Sequence, residues 1–192
     1  MEKFIRQSLE NSIAVKRAVA EKFPPVIARM ARVMVEALRN GHRIYIAGNG
    51  GSASDAQHIA GELVGRFTME RKALPVIALA TDTAVLTAVA NDYGYDEVFR
   101  RQVEAHVREG DVLLCISTSG NSPNILKAIE QAKSVGARVL ALAGRDGGKL
   151  AKAAELCVTV PAKESARIQE SHITIGHILC EIVEKEMFGD SK

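Results

Sequence analysis

The chain has 192 residues, 47% of them apolar and 25% charged, with 25 Lys and Arg against 23 Asp and Glu for a formal net charge of +2. That length suits one α/β domain with a well-buried core, and the balanced charge gives no reason to expect nucleic acid or a membrane surface as partner. No apolar run reaches the length of a bilayer span, and the N-terminal MEKFIRQSLENS interleaves charges with apolar residues, so a cytoplasmic protein is expected.

Residues 2–20 place Phe4, Ile5, Leu9, Ile13, Val15 and Val19 at helical spacing. Pro24 and Pro25 punctuate, a second amphipathic helix resumes over 26–39, and Asn40-Gly41 ends it. Two helices before any strand exceed what one sheet needs, so they are expected to pack on the core or on another subunit. From residue 43 short apolar runs at 43–47, 75–80, 112–117, 138–143 and 156–160 alternate with helical segments near 52–65, 82–90, 96–107, 122–135 and 164–187. Continuous apolar strands between helices predict a five-stranded parallel sheet covered on both faces, a doubly wound, flavodoxin-like sandwich. One domain spanning 1–192 is expected, with 1–40 as an N-terminal helical extension. Cys115, Cys157 and Cys180 each lie in an apolar run and no CxxC occurs, so they read as small buried hydrophobes.

Ligands of such sheets collect at the carboxyl ends of the strands. The turn after the first strand carries Gly48, Asn49, Gly50, Gly51 and Ser52. Its glycines let the backbone turn sharply ahead of a helix N-terminus that favours an anion, although a plain tight βα turn would use them too. It is neither a Walker A loop nor a full GxGxxG, because Ala53 stands at the third glycine position. The helix it opens holds His58 and Glu62 at i and i+4. That spacing suits two ligands to one metal or an acid–base pair, and it also occurs by chance on exposed faces.

The turn after the third strand reads Ser117-Thr118-Ser119-Gly120-Asn121-Ser122 and precedes Pro123. Ser122 before a proline is a good N-cap, but one cap needs one hydroxyl and this turn has four. Hydroxyls, backbone N–H groups and a helix N-terminus together suit a phosphate without a cation of their own. On the last helix, Gln169 and His177 stand roughly 80° apart and could reach one site, whereas His172 lies about 60° from Gln169 on its other side. By themselves, histidines on a helix this apolar read as core or interface groups.

Taken together, GNGGSASDAQHIAGELVGRF (48–67), AND-YGYDEVF (90–99), STSGNS (117–122), LAGRDGGKL (142–150) and RIQESHITIGHILCEIVE (167–184) resemble the sedoheptulose 7-phosphate isomerases, or phosphoheptose isomerases, of the sugar isomerase (SIS) fold. The resemblance implies a homotetramer with active sites between subunits. It also implies a metal, usually zinc, with ligands at His58, Glu62, Gln169 and His177. Phosphate contacts are implied at Ser117, Thr118, Ser119 and Ser122, and a sugar pocket at Asn49, Gly50, Gly51, Ser52, Arg66, Asn91 and Asp92. The implied reaction interconverts ketose and aldose phosphates through an enediol, with Glu62 and His177 as acid–base pair, as the first step of heptose biosynthesis for surface glycans such as lipopolysaccharide. Ala166 stands where some relatives carry an acidic residue toward the sugar hydroxyls. The alternative is a non-catalytic SIS adaptor that binds a replication initiator; such adaptors lose the first-helix acid and the second histidine, and here Glu62 and His177 are both present.

Overall fold

Every strand of the sheet is apolar almost throughout because both of its faces are covered. In the computed structural model, which describes residues 1–189, the elements run α1 (Glu2–Lys22), α2 (Pro24–Arg39), β1 (Ile44–Gly48), α3 (Gly51–Val64), β2 (Val76–Ala78), α4 (Thr83–Tyr93), α5 (Val98–His106), β3 (Val112–Ser117), α6 (Pro123–Ser134), β4 (Arg138–Gly144), α7 (Gly148–Ala153), β5 (Leu156–Val160) and α8 (Ser165–Phe188). The five strands are parallel in the order β2-β1-β3-β4-β5. Alternation along each strand divides the core: Ile44, Ile46, Leu114 and Leu142 face α2, α3 and α8, while Tyr45, Leu113, Cys115 and Ala141 face α5 and α6. The doubly wound parallel sandwich expected from the sequence is thus the observed architecture.

Three details differ from the pattern reading. Pro24 occupies the first turn of α2 directly after Phe23, so the proline pair starts a helix instead of spacing two apart. The segment near 96–107 divides into a 3₁₀ turn over Tyr95–Glu97 and α5, after Gly94 at φ 90°. The turn 142–150 contains the start of a short helix, α7, too brief for periodicity to reveal.

The apolar stripe of α1 is not taken up by the core: Phe4 is 76% exposed and Leu9 60%, and Val19 alone in this helix is buried. Arg167 of α8 ties the helix down by donating from Nη1 to the Ser8 carbonyl at 2.6 Å.

His172 is fully buried, with Nε2 3.0 Å from the Ala143 carbonyl, so that nitrogen carries the proton in the neutral ring. Burial lowers its pKa from 6.5 to about 4, against a smaller upward pull from that hydrogen bond. The unfolded chain binds a proton near pH 6.5 that the core refuses until about pH 4. The resulting stability is full above the unfolded value and is lost as pH falls between the two, on the order of 3 kcal/mol in total. The urea midpoint should therefore decline from pH 6.5 downward, and His172→Gln should flatten the upper part of that decline. An equal slope in the variant would remove His172 as its cause.

Candidate active site

Strands β1 and β3 are neighbours, in register from Ile44↔Val112 to Gly48↔Ile116, yet the helices that follow them cover opposite faces. A crevice opens at their carboxyl ends, the switch point of the sheet. Both polar turns singled out in the sequence meet there.

Asn49 leaves β1 and forms a reciprocal amide pair with Asn124 of α6: each Nδ2 donates to the other's Oδ1 at 2.9 Å. Tyr95 adds a hydroxyl donor to Asn49 Oδ1 at 3.2 Å. Asn124 is 2% exposed and bridges the two turns. Sequence reasoning missed Asn124 and Tyr95, whose roles depend on contacts across 75 and 46 residues. At Gly51 the start of α3 runs close to α8: a Cβ there would stand 2.2 Å from Gln169 Nε2, so a side chain at this position would displace the Gln169 amide. A small cavity is lined by Asn49 and Ser52 from one turn, Ser117, Thr118, Ser119 and Ser122 from the other, and Gln169 from α8. Seven predicted site residues therefore share one space.

The hydroxyls of the second turn converge: Ser117 Oγ lies 3.1 Å from Ser122 Oγ and 3.5 Å from Ser119 Oγ. Ser122 occupies the N-cap of α6 but makes no side-chain cap bond, which leaves its hydroxyl turned to the other serines. The loop is held from outside, with Leu150 N donating to the Gly120 carbonyl at 2.9 Å and Lys149 N to Asn121 Oδ1 at 3.1 Å. The short helix α7 thus serves as the loop's buttress.

Further along the same two helices, six residues past Ser52 and eight past Gln169, α3 and α8 bring His58 and His177 together with Glu62. His58 Nε2 is 3.1 Å from Glu62 Oε1 and 3.2 Å from His177 Nε2. One candidate ligand atom from each residue lies within 4.8 Å of the others. Two imidazole nitrogens and a carboxylate oxygen converging on one point are a donor set that fits a divalent ion such as zinc. The rings of His58 and His177 meet edge to face at 4.9 Å, and the Phe67 ring lies 5.7 Å from that of His177.

Behind this group is a buried pair that the sequence did not single out. Glu184 of α8 and Arg71 are 0% and 1% exposed, and Arg71 Nε donates to Glu184 Oε1 at 3.0 Å. Glu184 also accepts from the backbone of Phe67, Thr68 and Met69 and from Thr68 Oγ1, at 2.7–3.0 Å. Burial pushes its carboxyl up, but the bonds from Thr68, Phe67 and Met69 outweigh that and hold it at about 2.

Gly50, Gly51, Arg66, Asn91 and Asp92 are not among the residues that line the cavity. Arg66 is exposed, with Nε 3.9 Å from Glu70, and Asp92 accepts from Asn91 Nδ2 at 2.8 Å. Arg66 and Asp92 do not pair with each other within the chain. Among the cysteines, Cys115 and Cys180 are buried and Cys157 partly so.

A parallel sheet with a hydroxyl-lined crevice at its switch point is the form of a sugar-phosphate-binding SIS protein, and the profile described as SIS domain matches residues 8–144. The phosphoheptose isomerase of Pelobacter propionicus is 52% identical over 185 residues, covering 96% of this chain and 98% of that protein. The solved structure of phosphoheptose isomerase from Neisseria gonorrhoeae superposes with a TM-score of 0.91 at 41% identity, covering 96% of this chain and 98% of its own. That from Francisella tularensis gives 0.92 at 42%, covering 95% and 97%. The chain belongs to the phosphoheptose isomerase family, and it is an isomerase of sugar phosphates. Among the described residues, no helix is long and apolar enough to cross a membrane.

Proposed function

We propose that the chain converts sedoheptulose 7-phosphate to D-glycero-D-manno-heptose 7-phosphate, as the first step of heptose biosynthesis for lipopolysaccharide or another surface glycan. The observation that carries this reading is the approach of His58, Glu62 and His177 to one another on the two helices whose Ser52 and Gln169 line the serine-rich cavity. Ser117, Thr118, Ser119 and Ser122 hold the phosphate, assisted by the N-terminus of α6. Asn49, Ser52 and the turn at Gly50 and Gly51 receive the sugar.

Isomerisation removes a proton from C1 of the ketose and returns one to C2, through an enediol, with a hydroxyl proton moving to the former carbonyl oxygen. Glu62 and His177 form the acid–base pair for these transfers. His58, Glu62, Gln169 and His177 would hold the metal; zinc, when bound, supplies Lewis-acid stabilisation of charge developing on the substrate oxygens. A carboxamide ligand is uncommon for zinc, which makes Gln169 the member of the set most in need of test. Anchoring the distal phosphate orients the reacting carbons against Glu62 and His177.

The protein acts in the cytoplasm as a single-domain homotetramer. The open stripe of α1 at Phe4, Ile5 and Leu9 supports association, and Arg66, Asn91 and Asp92 would complete the sugar pocket. The adaptor alternative is disfavoured by the presence of Glu62 and His177.

A coupled assay of purified protein with sedoheptulose 7-phosphate and zinc tests the reading. Turnover that is lost on chelation and restored by zinc is expected; a metal-free, fully active preparation would reject the metal site. Ser119→Ala should raise KM roughly tenfold or more, the value of one hydrogen bond to a charged group. An unchanged KM would count against the serine turn as the phosphate site.

A further inference from the structure

We propose that Arg71 and Glu184 are positioning residues for the isomerase site, locking the end of α3 to α8 and thereby setting the separation of Glu62 and His58 from His177. The inference rests on the role proposed above for those three residues. Its geometry is independent of it.

The last carbonyls of a helix have no partners within the helix. At the end of α3 the Arg71 guanidinium supplies them, donating to the carbonyls of Glu62 at 2.9 Å, Leu63 at 2.8 Å and Gly65 at 3.1 Å. One of these belongs to Glu62 itself. The remaining Nε–H goes to Glu184, which stands seven residues beyond His177 and so on nearly the same face of α8. The second carboxylate oxygen gathers Thr68 N, Thr68 Oγ1 and Met69 N, while Phe67 N bonds the first. That fixes the segment whose Phe67 ring flanks His177.

A buried ion pair is a poor means of adding stability alone, because desolvating both charges offsets much of their attraction. What this pair offers is direction. A planar five-donor guanidinium reaches several carbonyls and a carboxylate at once, which an ammonium cannot. Both elements that carry the reactive side chains end up tied to one rigid centre.

The test uses the full-length protein carrying Arg71→Lys, or Thr68→Val, which removes one hydroxyl donor at nearly constant shape. Folding is followed by thermal unfolding. Zinc affinity without substrate is read by competition with a chromophoric chelator, inorganic phosphate affinity by calorimetry, and kcat and KM by turnover. Arg71→Lys is expected to weaken zinc binding and lower kcat by about 10–100-fold, in the range typical of groups supporting metal ligands. KM and inorganic phosphate affinity should stay within about twofold, because the serine turn stands on β3 and α6. Thr68→Val should shift zinc affinity and kcat the same way, by a smaller factor.

A folded Arg71→Lys protein with unchanged zinc affinity and kcat would overturn the proposal. So would one whose phosphate affinity falls together with its zinc affinity, since that marks general loosening. If Arg71→Lys does not fold, unchanged zinc affinity and kcat in Thr68→Val would overturn it instead. Wild-type protein that binds zinc but turns over no heptulose phosphate would remove the proposed reaction, while the effect of the variants on zinc affinity still decides the role of the pair.

Discussion

Glu62→Gln is expected to lower kcat by about 10²–10⁴-fold, the usual contribution of a positioned acid–base group. Glutamine keeps the volume and an oxygen near His58, but its amide cannot accept and return a proton at neutral pH. Glu62 is partly buried on α3 and its side chain is not part of the core, so folding should be unaffected. Its carbonyl, which Arg71 holds, is unchanged by the substitution. Turnover and circular dichroism on the same preparation separate the two effects. A folded variant with wild-type turnover would take Glu62 out of the mechanism.

Gly120→Ala should cost about 2–5 kcal/mol of stability and raise KM, because the serine turn cannot close around a side chain at this position. Gly120 has φ 65°, and a Cβ there would stand 2.2 Å from the Gly147 carbonyl oxygen and 2.6 Å from its carbon. Both contacts are backbone, so no rotamer change relieves them. Gly148, at φ 55°, faces the Gly120 carbonyl from the other side, with 2.7 Å to a built Cβ. Two chain segments therefore cross at a separation only glycine permits, and the crossing is what presses α7 against the serine turn. Urea denaturation and KM report the two consequences. An unchanged midpoint and KM would show that the turn adjusts freely and that α7 does not support it.

Much of this was legible in the linear chain. Parallel strands covered on both faces must be apolar almost throughout, so runs such as VLLCIS announced themselves. The serine turn stood out because four hydroxyls exceed the needs of one N-cap, and the His58–Glu62 spacing places both side chains on one helical face. Local periodicity and composition carry information of that kind.

Contacts between distant segments were not readable in this way. His58 and His177 are 119 residues apart, Arg71 and Glu184 are 113, and nothing in either neighbourhood specifies the other. The stripe on α1 had the period of a buried helix, yet packing left Phe4 and Leu9 open. Nothing around Asn124 in the sequence marks it out, and its part in the site comes from pairing with Asn49, 75 residues away. Sequence by itself thus determined most of the elements, the class of sheet and the place of the two polar turns, since these follow from backbone preference and burial over a few residues. Tertiary structure alone decided which polar groups share a space, because the free energy that pairs them exists only once the sheet has closed the distance.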